Sequence, residues 1–275
     1  MPTVSVIMGI YNGTNTMDEA IASICNQKYT DWEMIICDDC STDNTFEKLE
    51  KWCLNDTRIQ LLRNKYNMGL ASTLNHCLQY AKGEYIARMD DDDVSYPERF
   101  REQVNFLNNN KEYAFVSSIV DCFDGQGIVR NRFLRKAEPQ KKDFLVGTQF
   151  VHPATMFRKE CLVNVGGYQE KRVTRRVEDY DLFMRLYAIG YKGYNIQKPL
   201  LRYSVSIQGM KKKNKYIYRV DEARVRYRGF KKLGLLPWGI IYVIRPLIVG
   251  IIPKTLIWNL FYKLRKNKDI KYEKE

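Results

Sequence analysis

The sequence predicts an α/β protein with a mostly parallel sheet flanked by helices and a helical extension at its C-terminal end. Three observations carry the prediction. Short apolar runs rich in β-branched residues alternate with segments of helical apolar spacing, each run ends in polar turn chemistry, and a basic, apolar-rich stretch follows residue 205. Parallel neighbours need crossover helices, so strand and helix must alternate along such a chain.

The first run, Val4–Ile10, is continuously apolar apart from Ser5 and Gly9, as expected of a strand buried on both faces, and Tyr11-Asn12-Gly13 breaks it. Thr16 with Glu19 three residues on reads as a capping box, after which Ala20, Ile21 and Ile24 repeat at helical spacing. Residues 34–37 form the next strand, Ser41-Thr42-Asp43 a cap region, and Phe46, Leu49 and Trp52 the apolar face of a second helix. A strand at 59–62, a helix from Gly69 through Leu74, Cys77 and Leu78, and a strand at 85–89 complete this half. From about residue 110 the pattern shortens to strands at 114–120 and 128–133, a lysine-bearing loop and an apolar patch at 150–157. A strong helix then runs from Glu178 through Leu182, Phe183, Leu186 and Ile189.

The 275 residues carry 45 Lys and Arg against 32 Asp and Glu, a net charge of +13. Residues 209–275 hold 18 Lys and Arg against 5 Asp and Glu, so residues 1–208 balance at 27 of each. A basic tail on a neutral body argues against a nucleic-acid-binding core and for a C-terminal segment that meets an anionic surface. Hydrophobic residues at 45% and charged residues at 28% exclude a disordered, collagen-like or disulfide-stapled chain. Seven scattered cysteines and an N-terminus lacking signal-peptide character suggest a reducing cytosol. Cys37-x-x-Cys40 has no second pair and is a weak metal or redox signal.

Ligands of open α/β sheets bind at the carboxyl ends of the strands. Three polar turns fall there and should converge: Tyr11-Asn12, Asp38-Asp39 and Asp90 to Asp93. Four consecutive carboxylates raise one another's pKa unless a cation neutralises them, and a hard divalent ion held by one or two of them is the simplest solution. An EF-hand is excluded, because Ser95 and Arg101 stand where its glycine and glutamate belong. A solvated acidic turn before the helix near Pro97 is the alternative.

Several segments resemble the family-2 glycosyltransferases of the GT-A fold. They are Val4-Ser5-Val6-Ile7-Met8 with Tyr11-Asn12, Ile35 to Asp43, Asn67-Met68-Gly69-Leu70, Gly83 to Asp93 and Glu178-Asp179-Tyr180-Asp181-Leu182. The resemblance covers residues 3–205 and implies a Rossmann-like catalytic domain over 1–205, with a nucleotide-sugar half (1–109) and an acceptor half (110–205). It implies that Tyr11 and Asp39 hold the uracil of a UDP-sugar, with Ile10, Asn12, Asp38, Asn67, Gly69, Asp90 and Asp91 lining the nucleotide-sugar site. Asp90 and Asp92 would form the D-x-D that takes Mn²⁺ or Mg²⁺, and Asp179 would be the base of an inverting transfer. His152, Glu178 and Asp181 are expected on the acceptor or orienting side, with Arg185 as an ion-pair partner. Cys40 stands where Gly is usual in the family's Asp-Asp-Gly-Ser turn, and Asp91 fills the middle of the D-x-D, where a small residue is usual.

Residues 206–275 read as a basic, apolar helical tail whose longest uncharged stretch, 233–244, is too short to span a membrane. Trp238, Tyr242, Trp258 and Tyr262, with Lys211 to Lys215 and Lys263 to Lys268, suit an anionic membrane surface, the inner face of the cell membrane. A helical subdomain packed on the catalytic core is the alternative. The expected reaction transfers sugar from a UDP-sugar to a lipid-linked oligosaccharide or polysaccharide acceptor in capsule, exopolysaccharide or lipopolysaccharide synthesis. Its rivals are a glycoside hydrolase using paired carboxylates and an inactive scaffold of the same fold. A nucleotidyltransferase is disfavoured because no glycine-rich phosphate loop follows the first strand.

Overall fold

A computed structural model describes residues 1–123, 128–129, 135–205 and 215–251. Its strands form one sheet in the order β3 (Ile59–Arg63), β2 (Trp32–Asp38), β1 (Val4–Ile10), β4 (Tyr85–Arg88), β8 (Met156–Arg158), β6 (Phe115–Phe123), β9 (Gly193–Ser204), β5 (Val94–Ser95), with β7 (Ile128–Val129) paired to β6. The first half is as expected: β1 (Val4–Ile10), β2 (Trp32–Asp38), β3 (Ile59–Arg63) and β4 (Tyr85–Arg88) are all parallel. Helices α1 (Met17–Cys25), α2 (Thr45–Asn55) and α3 (Leu70–Tyr80) make the crossovers. Along β1, Val4, Val6, Met8 and Ile10 face one core and Ile7 the other, the period of two that buries a strand on both sides.

The second half is mixed. The short β5 (Val94–Ser95) and α4 (Arg99–Asn109) lead into β6 (Phe115–Phe123), and β8 (Met156–Arg158) runs antiparallel to both β4 and β6. β9 (Gly193–Ser204) pairs parallel to β6 through two register shifts and antiparallel to β5. β7 covers only Ile128–Val129, so most of the strand expected at 128–133 lies outside the described residues.

The capping box expected at Thr16 does not form. Thr16 Oγ1 instead donates to the Gly13 carbonyl at 3.4 Å, and Glu19 pairs with Arg202 at 2.5 Å, drawing both members off the helix end. The seven cysteines form no disulfide, and Cys37 is buried in the sheet core.

After α5 (Lys159–Asn164) and α6 (Glu178–Ala188), the segment read as a tail supplies α7 (Tyr216–Leu233) and α8 (Ile240–Ile251). α7 does not stand apart: Ala223, Val225, Phe230 and Leu233 are buried in the core shared with Phe183 and Leu186 of α6. Gly229 permits the close approach, since a Cβ there would lie 2.3 Å from Met184 Sδ. α7 is thus the docked helical alternative. Lys211 to Lys213, Trp258, Tyr262 and Lys263 to Lys268 lie outside the described residues.

Candidate active site

The three polar turns meet as their strand ends predict. The Asp39 N–H donates to the Ile10 carbonyl at 2.8 Å, the Asn12 N–H to Ser41 Oγ at 2.9 Å, and the Thr42 N–H to Asn12 Oδ1 at 2.9 Å, stitching the end of β1 to the end of β2. Asn12 and Cys40 both hold positive φ, 56° and 61°. That is why glycine suits position 40: only a residue without Cβ enters the left-handed region freely. Such backbone strain gathers at binding sites, where the surrounding structure enforces it.

The two adjacent aspartates differ. Asp38 is fully buried; its oxygens accept the Ser41 N–H at 3.2 Å, and Arg63 Nε lies at the same distance, so it shapes the turn instead of lining a cavity. Ile10 is buried beneath the strand end in the same way. Asp39 is locked by Asn64 Nδ2 and the backbone N–H groups of Met68 and Gly69, each at 2.8 Å. It lines a cavity of about 440 Å³ with Tyr11, Asn67, Met68 and Gly69. Tyr11, Asp39, Asn67 and Gly69 are therefore brought together.

β4 carries the acidic run to the next wall. Arg88 is wholly buried and pairs with Asp90, so the arginine points at the cluster and not away from it. One carboxylate oxygen from each of Asp90, Asp92 and Asp93 lies within 4.8 Å of the others. Asp93 Oδ1 accepts the Ser204 N–H at 2.8 Å, while its buried Oδ2 has no partner. Burial, then repulsion from Asp90 and Asp92, holds Asp93 well above the usual carboxylate range and pushes Asp91 up to about 7. Asp91 packs against Gly13, where a Cβ would lie 2.3 Å from its Oδ2. A hard-oxygen cluster with an orphaned carboxylate atom and unrelieved repulsion fits a divalent cation such as Mn²⁺ or Mg²⁺.

A second cavity, of about 330 Å³, is lined by Arg88, Asp90, Arg135, His152, Glu178 and Asp179 among others. Asp179 projects from the first turn of α6, recessed and half-buried. Burial raises its pKa, opposed by a backbone hydrogen bond at Tyr180 and by Arg88, so the helix terminus alone does not set its charge. Glu178 is pushed up to about 7 by burial and by Asp179. His152 is buried with Nε2 2.8 Å from the Tyr168 hydroxyl; burial and Arg88 hold its pKa well below the usual range, which keeps the ring neutral.

Asp181 is not on this cavity. It accepts from Arg185 Nε at 2.6 Å, one turn along α6, and Arg185 in turn donates to the carbonyls of Val165 and Gly167. The expected orienting residue is thus a structural clamp on the 165–167 turn.

Sequence reasoning missed the basic loop before α6. Lys171, Arg172, Arg175 and Arg176 line the Asp39 cavity, and Arg176, with Leu70 and Glu178, lines the Asp179 cavity as well. Four cations in six residues, immediately ahead of an acidic helix start, were the available signal.

The chain is 39% identical over 265 residues, 96% of its length and 94% of the relative's, to the Bacillus subtilis protein EpsE, whose name calls it a glycosyltransferase. It is 38% identical over 142 residues, 48% of this chain and 55% of the relative, to WfgD of Escherichia coli, a UDP-Glc:α-D-GlcNAc-diphosphoundecaprenol β-1,3-glucosyltransferase. Among solved structures, S. aureus TarS 1–349 in complex with UDP-GlcNAc superposes with a TM-score of 0.71 at 18% identity, covering 88% of this chain and 73% of that one, which supports the GT-A fold. Residues 5–166, from β1 across the Asn12 and Asp39 turns and the acidic run to the Gly166 turn, match glycosyl transferase family 2, and the chain belongs to that family of sugar-transferring enzymes.

Proposed function

We propose that this glycosyltransferase moves a sugar from a UDP-sugar to a hydroxyl of a lipid-linked oligosaccharide or polysaccharide acceptor, with inversion, in the synthesis of a surface polysaccharide. One observation carries the reading: two cavities, one bearing Tyr11, Asp39 and Asn67 and the other Asp90 and Asp179, meet at Leu70, Arg176 and Glu178. A donor laid across that junction has its base against Asp39 and its anomeric carbon facing the acceptor cavity. WfgD supports the choice of a UDP-sugar and a lipid-diphosphate acceptor, and TarS that of a UDP-sugar.

Asp90 and Asp92, with Asp93 beside them, would hold the divalent ion, which when bound supplies Lewis-acid neutralisation of the charge on the departing diphosphate. Asp179 accepts the acceptor hydroxyl's proton as that oxygen attacks the anomeric carbon, and a pKa raised by burial makes it a stronger base than an exposed aspartate. His152, held neutral by its surroundings and fixed through Nε2 by the buried Tyr168 hydroxyl, is a rigid wall of the cavity near the incoming sugar. One base suffices for a single inverting displacement, and a hydrolase has no use for the nucleotide-type cavity.

The site would work at a membrane face. No helix among the described residues is long and apolar enough to cross a membrane. However, Ile241, Ile244, Ile248 and Ile251 of α8 recur at helical spacing and are 43–73% exposed, beside Trp238 at 89%. An apolar stripe within a strongly basic segment suits an anionic lipid surface. The first test is a screen of UDP-sugar turnover with Mn²⁺, with Mg²⁺ and with EDTA. Turnover of at least one UDP-sugar that EDTA abolishes is expected; turnover of GDP-sugars alone, or equal rates in EDTA, overturns the donor or the metal assignment respectively.

A further inference from the structure

Arg176 occupies the junction of the two cavities in an unusual conformation. Its φ of 72° lies in the left-handed region, which a side chain with a Cβ disfavours unless its surroundings hold it there. A type II turn sets it, closed by the Val177 N–H donating to the Thr174 carbonyl at 2.9 Å, and the side chain it projects meets the far end of the chain: the Arg176 guanidinium lies over the ring of Tyr218 on α7, 5.1 Å from its centroid. α7 is itself fixed on α6. Gly229 abuts Met184, and Arg226 donates to the Leu145 carbonyl at 3.0 Å while lying over the Tyr180 ring at 5.2 Å. Of the loop's four cations, Arg176 alone lines both cavities.

We infer that Arg176 contacts the diphosphate of the donor, and that Tyr218 is a positioning residue that aims it there; the inference rests on the UDP-sugar reading above. In the transfer, the acceptor oxygen bonds to the anomeric carbon and its proton passes to Asp179. The bond from that carbon to the β-phosphate oxygen breaks, and the electron pair stays on the phosphate. The breaking bond lies where the nucleotide cavity opens into the acceptor cavity, which is where Arg176 stands. A guanidinium offers forked donors that match phosphate oxygens, and a donor fixed in advance where charge grows stabilises the transition state. A guanidinium attracted to the Tyr218 ring keeps several N–H groups with which to make those bonds.

Calorimetric titration of the full chain with UDP and with uridine tests both roles. Arg176→Ala is expected to weaken UDP binding roughly 10- to 100-fold and leave uridine binding unchanged. Tyr218→Ala should give part of that loss and Tyr218→Phe, which keeps the ring, almost none. Wild-type UDP affinity in Arg176→Ala, or equal weakening toward uridine, overturns the diphosphate contact. Wild-type affinity in Tyr218→Ala, or failure of Tyr218→Phe to restore binding, overturns the positioning role. If the unmodified chain binds GDP and not UDP, it is the donor reading that fails, and the same variants scored with GDP and guanosine decide the Arg176 contact.

Discussion

The buried guanidinium of Arg88 is set against the carboxylate of Asp90, so the acidic cluster carries its own internal cation. Arg88 offsets only part of the effect, since burial and then repulsion keep Asp91 and Asp93 raised despite it. Removing one partner of a buried pair costs about 3–5 kcal/mol, because the other charge is left without compensation. Arg88→Met should therefore lower the melting temperature sharply in EDTA and much less in excess Mn²⁺, where a bound cation takes over the neutralisation. Differential scanning calorimetry in the two buffers checks this. An equal loss in both would show that Mn²⁺ does not bind beside Asp90.

Glu178 gives a pH signature with a definite sign. Its carboxyl is pushed up to about 7 in the folded chain, so between the unfolded value near 4.5 and about 7 the folded state holds the extra proton. That contribution is fully present below the unfolded pKa and is lost as pH rises through 7. Relative to Glu178→Gln, which carries no such proton, the wild type should lose on the order of 1–3 kcal/mol of stability between pH 5 and pH 8, the figure discounted for water in the cavities. Urea titrations of both proteins across that range measure it. A difference that stays constant with pH would place Glu178 in water.

The parallel half of the sheet was legible because β1 to β4 are short runs dominated by apolar residues and their polar ends must share one edge. β9 was not legible: Asn195, Gln197, Lys198 and Pro199 interrupt its pattern, and its pairing with β6 is broken by register shifts near Ile119. Tertiary partners decide such a strand, since Asn195 Nδ2 is satisfied only by the carbonyls of Lys136 and Gln149. Asp179 and Asp90 were legible as acids at strand and helix ends. Asp181 was misread because spacing on a helix does not say which neighbour a carboxylate finds, and Arg185 four residues on claims it. The departure at Cys40 was visible in sequence, and its physical meaning, a positive φ, needed coordinates.

The packing of α7 and the proposed membrane contact of α8 can be tested separately. α7 buries Phe230 and Leu233 in the core, so truncation near residue 206 should unmake the fold and would say little about membranes. The triple change Ile241→Ser, Ile244→Ser, Ile248→Ser removes exposed apolar surface alone and should leave the melting temperature nearly unchanged. In flotation with anionic vesicles it should shift most of the protein from the lipid fraction to the soluble one. Undiminished flotation of the variant would detach membrane binding from α8.

Asp179 is the group whose loss should affect chemistry and little else. Its carboxylate lines the cavity that holds Arg88, Asp90 and His152 and is absent from the cavity of Tyr11 and Asp39, so a base held at Asp39, as proposed, would not reach it. Asp179→Asn keeps the size and the acceptor oxygen that can serve the Tyr180 backbone while removing the basic site. UDP affinity should stay within a factor of a few, and kcat should fall by roughly 10² to 10⁴, the usual contribution of a general base. In the wild type, kcat should rise with pH along a limb whose midpoint sits above the ordinary aspartate value, as burial raises this carboxyl, and the variant should lack that limb. Glu178, one residue away and also raised, is the rival base. If Glu178→Gln abolishes the limb and Asp179→Asn retains it, the proton goes to Glu178. If Asp179→Asn instead loses UDP affinity at unchanged kcat, Asp179 binds the donor and takes no proton.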